Sequence, residues 1–134
     1  WIQELDRTGS RIRFLNEDRT VDIMEALKEF DLLITDYSSI YMDYLLTGKP
    51  VLFLPYDQEA YLKERGMNFP YDQVTPGPKP KTFQEFLNSM EDLLYNHDGY
   101  VRQRESVNNF LNEIQRPCCA DICKYTRELL DWRE

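Results

Sequence analysis

Basic charge is scarce in this chain. Its 16 Lys and Arg residues stand against 24 Asp and Glu, giving a formal net charge of -8 over 134 residues. A nucleic-acid surface needs clustered cations to displace the counterions of a phosphate backbone, so nucleic acid is excluded as a partner. An anionic small substrate would have to be held by local donors, against the sign of the overall field. Long apolar runs are missing too, as is a signal-peptide pattern, so the sequence offers no membrane-spanning helix. Histidine occurs once, at His97, and cysteine three times, at Cys118, Cys119 and Cys123. That set lacks a fourth ligand at zinc-like spacing, and it reads as reduced, buried structural thiols. No metal and no other cofactor is demanded. Trp1 replaces a starting Met, and the expectation is a fragment of a longer chain.

What is present alternates two periodicities. Arg11 to Leu15 alternates charged and apolar residues at period two, as a strand with one covered face does. Thr20 offers an N-cap to a helix carrying Ile23, Met24, Leu27 and Phe30 at helical spacing. Leu32 to Thr35 and Pro50 to Leu54 are short continuous apolar runs of the type buried on both faces of a parallel sheet. Between them Ser38 or Ser39 caps a helix with Ile40, Tyr41, Tyr44 and Leu45 inward, ended by Gly48. Asp57 caps a polar helix that Gly66 terminates, and Met67 to Phe69 reads as a last short strand. The Pro76-Gly-Pro-Lys-Pro80 run is a stiff loop. Helical stripes then follow at Phe83, Phe86, Leu87, Met90, Leu93 and Leu94, at Val107, Phe110, Leu111 and Ile114, and at Cys119, Ile122, Thr126, Leu129 and Leu130. These predict helices that cover the sheet.

The fold class is therefore α/β: a Rossmann-like parallel sheet of three or four strands with flanking helices, and a mostly helical segment over 82–133. Residues 1–134 form one nucleotide-binding domain, truncated because doubly wound nucleotide domains carry five or six strands.

Open parallel sheets bind ligands beyond the carboxyl ends of their strands. Thr35 to Ser39 lies at such an end, where strand, tight turn and helix follow one another. The hydroxyls and amides of Ser38 and Ser39, with the Ile40 amide, suit a diphosphate. Asp36 fits there only if turned away, tying the loop to its own backbone amides. From the spacing alone an ordinary helix cap is the better explanation, because serine caps are common.

The longer pattern carries more. Asp31-Leu-Leu-Ile-Thr-Asp-Tyr-Ser-Ser39, then Asp43-Tyr44, Lys49-Pro50, Tyr56-Asp57, Arg65-Gly66, Tyr71-Asp72 and Pro76-Gly-Pro78 resemble the CDP-glycerol glycerophosphotransferase family of teichoic-acid and capsule synthesis. The resemblance implies a GT-B architecture, with this chain as most of the donor-binding C-terminal half. It implies that Thr35, Ser38 and Ser39 contact the phosphates of CDP-glycerol or a related CDP-polyol, while Asp36, Tyr37 and Asp43 support the loop. The family's catalytic histidines lie upstream of this motif, and His97 matches neither, so no catalytic residue is assigned. A membrane-linked polymer acceptor would be bound by the missing half, and the enzyme would work in the cytoplasm, at the inner face of the plasma membrane. Glu17 after the first strand, Arg65 at a helix end and Gly77 are further substrate-binding candidates. Tyr61 and Tyr71 are candidates to stack on cytosine. Three other readings stay open: the donor half of a GT-B nucleotide-sugar glycosyltransferase or epimerase, a receiver-like domain phosphorylated on Asp36, and a structural module.

Overall fold

The computed structural model describes residues 22–130. The chain divides into two compact units, Trp1–Asp31 and Leu32–Glu134. In the first, helix α1 (Ile23–Leu27) is capped by Asp22, whose carboxylate accepts from the Met24 amide at 2.9 Å. Thr20, expected to cap this helix, and the strand expected over 11–15 lie outside the described residues.

The second unit is built on a parallel pair, β1 (Leu33–Thr35) and β2 (Val51–Phe53), in register Leu33 to Val51, Ile34 to Leu52 and Thr35 to Phe53. Their crossover is short: helix α2 (Ile40–Tyr44) runs into a 3-10 turn (Leu45–Thr47). Gly48 closes it at φ +71°, a left-handed conformation in which a side chain would be strained. Tyr41, Tyr44 and Leu45 point inward, as their spacing predicts.

After β2 come α3 (Gln58–Glu64), α4 (Tyr71–Val74), α5 (Phe83–Tyr95), α6 (Val101–Leu111) and α7 (Cys119–Leu129). β2 is the centre of the unit: Val51, Leu52 and Phe53 are each 0% exposed. β1 is less covered than expected, and Ile34 is exposed, because β1 has one strand neighbour among the described residues. Met67 to Phe69 is not a strand. Pro70 ends the run without an amide to donate, and Phe69 packs edge-on against Phe110 with ring centroids 5.3 Å apart.

The proline-rich run is more than a loop. Thr75, Pro76 and Gly77 are buried along β2, and the Phe53 amide donates to the Pro78 carbonyl at 3.0 Å. A Cβ on Gly77 would meet the Val51 carbonyl oxygen at 2.0 Å. Two backbones approach too closely there for any side chain.

The C-terminal helices cover less than their stripes predict. α5 buries only Leu93, and α6 buries Val107 together with Arg104. Arg104 holds Asp98 through both guanidinium amino nitrogens and donates from Nε to the Gly48 carbonyl at 3.3 Å. Asn112 donates to the Met42 carbonyl at 2.8 Å. α6 is thus tied to the α2 crossover by polar bonds as well as by apolar contact. α7 buries nothing, with Ile122, Tyr125 and Leu129 exposed. Cys119 and Cys123 are exposed free thiols and Cys118 is half-buried, because the helix that carries them does not pack on the sheet. The expectation of buried thiols is corrected.

Candidate functional site

The carboxyl ends of β1 and β2 meet at one edge, where the Leu54 amide donates to the Thr35 carbonyl at 2.8 Å. Residues 36 to 39 form the turn between β1 and α2. Asp36 Oδ1 accepts from the amides of Tyr37 at 2.6 Å and Ser38 at 3.2 Å. Its charge is thereby spent inside the loop. Ser38 and Ser39 are exposed. The Ser38 hydroxyl accepts weakly from the Ile40 amide at 3.5 Å, and Ser39, at the N-cap position, makes no side-chain capping bond. Three donors therefore have no acceptor among the described residues: both serine hydroxyls and the Ser39 amide. Because α2 has only five residues, the dipole of a long helix adds nothing to these local groups.

The turn rests on a cluster of tyrosines. Tyr71 donates its hydroxyl to the Asp36 carbonyl at 2.8 Å, across 35 residues of sequence. Tyr37 stacks on Tyr61 with centroids 4.0 Å apart and planes 18° apart, and it lies tilted against Tyr71 at 5.5 Å. The Tyr37 hydroxyl oxygen is buried with no hydrogen-bond partner among the described residues. Burial, helped by the nearby Asp57 carboxylate, pushes its pKa up to about 12. Burial likewise raises Tyr71, reinforced by Tyr37 and Asp36. Both phenols stay neutral at physiological pH. Tyr61 and Tyr71, candidates to stack on a base, instead spend ring surface on Tyr37.

The other candidates separate. Thr35 is half-buried at the end of β1, next to the turn. Asp43 is exposed on α2 and makes no side-chain bond to the loop, so the support expected of it comes from Tyr71. Arg65 is exposed at the C-cap of α3 and bonds through its backbone amide to Tyr61. Gly77 is packed against β2, which gives it a structural reason to be glycine. Glu17 lies outside the described residues. His97 is exposed between α5 and α6. No cluster of His, Cys, Asp or Glu among the described residues could hold a metal ion. No described helix is long and apolar enough to cross a membrane.

The support of Tyr71 for the turn was missed by sequence reasoning. Its signal was available as Tyr71-Asp72 in the ordered motif set, but periodicity cannot tell which backbone a distant hydroxyl reaches.

Residues 2–116 match the model of the family described as CDP-Glycerol:Poly(glycerophosphate) glycerophosphotransferase. Among curated relatives, a teichoic acid poly(ribitol-phosphate) polymerase of Bacillus spizizenii is 36% identical over 77 residues, 58% of this chain and 12% of that protein. A teichoic acid glycerol-phosphate primase of Bacillus spizizenii is 47% identical over 71 residues, 53% of this chain and 18% of that protein. The chain thus spans less than a fifth of the length of either relative. Among solved structures, the wall teichoic acid polymerase TagF superposes with a TM-score of 0.66 at 23% identity, covering 96% of this chain and 32% of that one. That likeness gives the fold, an α/β part of a GT-B architecture. The family match extends over most of the chain and takes in the whole of the turn and its tyrosine support. The chain belongs to the CDP-glycerol:poly(glycerophosphate) glycerophosphotransferase family.

Proposed function

We propose that this chain is the donor-holding part of a transferase that builds teichoic-acid-like or capsular polymers, and that the turn from Thr35 to Ser39 grips the diphosphate of CDP-glycerol or a related CDP-polyol. The observation that carries the reading is the division of labour in the turn. Asp36 directs its carboxylate to the amides of Tyr37 and Ser38, while Ser38 and Ser39 stay exposed at the carboxyl end of β1. A diphosphate requires donors with no opposing carboxylate at contact distance, and this arrangement provides them.

In the reaction an acceptor hydroxyl attacks the β-phosphorus. A P–O bond forms to the acceptor, the bond to the bridging oxygen breaks, and CMP leaves with the electron pair. The turn neutralises charge that builds up on the phosphate oxygens, and its rigid tyrosine base removes the need to reorganise during the step. In this reading the acceptor's proton goes to a group outside the described residues, and His97, exposed between α5 and α6, is not assigned that role. The acceptor is a polymer end carried at the inner face of the plasma membrane, where the enzyme would be recovered on cell fractionation.

A receiver-like role for Asp36 is not supported, because its Oδ1 is engaged by two amides and the family match points elsewhere. A UDP-sugar donor remains the informative comparison. Calorimetric titration of the full-length protein with CDP-glycerol and with UDP-glucose should favour the former. The Ser38→Ala/Ser39→Ala pair should weaken CDP-glycerol binding at least about tenfold, the loss of one to two charge-assisted hydrogen bonds. Binding at wild-type strength in that variant refutes the reading.

A further inference from the structure

A second feature lies at the same edge of the sheet and is not used by the turn. Beyond the carboxyl end of β2 is an open cavity of about 610 Å³, lined among others by Leu54, Pro55, Tyr56, Asp72, Lys79 and Lys81. In a chain of net charge -8, the cavity wall carries two lysines two residues apart against one carboxylate, Asp72, which leaves it locally positive and leaves Lys81 as the cation not shared with an acid among the described residues. Lys79 is held in place there. Its ammonium donates to the Thr75 carbonyl at 3.0 Å and stands 5.7 Å from the ring centroids of both Phe53 and Tyr71. Its side chain is only 24% exposed, and its one carboxylate neighbour, Asp72 at 3.5 Å, is largely solvated. The backbone of Lys81 is fixed by donation of its amide to Glu85 at 2.8 Å, while its ammonium has no ion-pair partner among the described residues. Tyr56 is 84% exposed at the cavity, and two prolines line it.

The cavity is joined to the turn through one side chain. Tyr71 donates to the Asp36 carbonyl with its hydroxyl and packs against the Lys79 ammonium with its ring. Leu54, on the cavity wall, is bonded through its amide to Thr35.

We propose that this cavity is a second phosphate-ester subsite, in which Lys79 and Lys81 hold a phosphate while Tyr56 and the prolines contact the carbon portion of the ester. The volume suits a nucleotide or a short polyol-phosphate segment better than a bare phosphate. The identity of the ester rests on the transferase reading; the site itself rests on the lysines. Two sources carry the same chemistry: the nucleotide end of the donor, and a phosphodiester of the growing polymer.

The test uses the full-length protein, in which Lys81, being exposed, can be replaced without disturbing the core. Wild type, Lys81→Glu, Lys81→Arg and the Ser38→Ala/Ser39→Ala pair are titrated calorimetrically with CDP-glycerol and, separately, with a soluble glycerol-phosphate oligomer. Lys81→Glu should weaken one of the two by about tenfold or more, and raising the salt concentration should narrow that gap. Lys81→Arg should stay within about threefold of wild type, because the charge is kept. Loss confined to CDP-glycerol places the nucleotide end in the cavity, and loss confined to the oligomer places the polymer there. Unchanged binding of both ligands by Lys81→Glu overturns the subsite, whatever the serine variant does. If Lys81→Glu weakens binding and the serine pair does not, the subsite stands and the reading of the turn falls.

Discussion

Gly77 offers two incompatible explanations for one residue, and a single methyl group separates them. The sequence makes it a substrate-binding candidate, a role that would need a glycine where a ligand approaches only if the ligand, and not the fold, fills that space. In the structure the approaching group is β2. An added Cβ would lie 2.0 Å from the Val51 carbonyl oxygen, 3.0 Å from its carbon and 3.1 Å from a carbon of the Phe53 ring. Backbone cannot rotate out of the way, so Gly77→Ala must push residues 75–78 off the strand. That movement breaks the 3.0 Å bond from the Phe53 amide to Pro78 and leaves a buried donor unpaired, at a cost of about 1–3 kcal/mol. Strain and loosened packing around Phe53 add about 1–3 kcal/mol. The lower entropy of the unfolded alanine chain returns about 0.4–1 kcal/mol. A net loss of about 3 kcal/mol follows, a large share of a typical domain's 5–15 kcal/mol (roughly). Urea unfolding at neutral pH measures it, with Gly99→Ala as the control. Gly99 has no atom within 4 Å of its built Cβ, and its substitution should be neutral or slightly stabilising. A loss below about 1 kcal/mol for Gly77→Ala, with CDP-glycerol binding abolished, would refute the packing argument and restore the ligand one.

Three further outcomes follow from the clamps around the turn. Burial alone would raise the Asp98 carboxyl, but hydrogen bonds from Arg104 and the Tyr100 amide, with the guanidinium charge, outweigh it and hold the pKa below the ordinary 3.8. Its stabilisation is therefore present above about pH 4 and lost as pH falls through the lowered folded value. Arg104→Met should cost about 3 kcal/mol at pH 7 in urea unfolding, and progressively less below pH 4, because it leaves a partly buried carboxylate unpaired. Tyr71→Phe should cost about 1–2 kcal/mol by the same assay, since the Asp36 carbonyl loses its donor, and it should weaken CDP-glycerol binding by loosening the turn. Tyr37, raised to about 12 in the folded chain from an ordinary 10, contributes stability that is complete below pH 10 and lost as pH rises towards 12. Unfolding midpoints measured from pH 8 to 12 should fall across that window, and less steeply in Tyr37→Phe.

The parts of the fold that were legible in the sequence are those set by local pattern. Leu33 to Thr35 and Val51 to Phe53 are strands because short apolar runs bounded by turn residues have no better state, and Tyr41, Tyr44 and Leu45 face inward as their spacing requires. The misses share a physical cause, which is that they depend on what covers a face. The α7 stripe describes an amphipathic helix truthfully, yet no pattern says whether anything packs on it, and nothing does among the described residues. Arg104 is buried because Asp98 and the Gly48 carbonyl satisfy its guanidinium, whereas a hydrophobic stripe counts every arginine as outward. Met67 to Phe69 resembled a strand by composition, but Pro70 follows and the residues Phe69 needs are on α6.

The turn itself shows why residue type and residue role come apart. Asp36 is the anion of the motif, and in a phosphate site an anion should be harmful. Its carboxylate is instead consumed by the Tyr37 and Ser38 amides, at 2.6 and 3.2 Å. That choice has a cost, because the Ser38 amide can then serve a ligand only by sharing. Donor capacity passes to the two hydroxyls and the Ser39 amide, and the hydroxyls can be removed by substitution while an amide cannot. Asp36→Asn would release part of that hold without adding negative charge, so its effect separates the roles. If Asp36 only shapes the loop, Asp36→Asn should lower thermal stability and leave the affinity of the remaining folded protein for CDP-glycerol within about threefold, because an amide oxygen still accepts from Tyr37 and Ser38. A gain in affinity of about tenfold would mean that the carboxylate faces the ligand after all, and that the grip works against a charge it has not hidden.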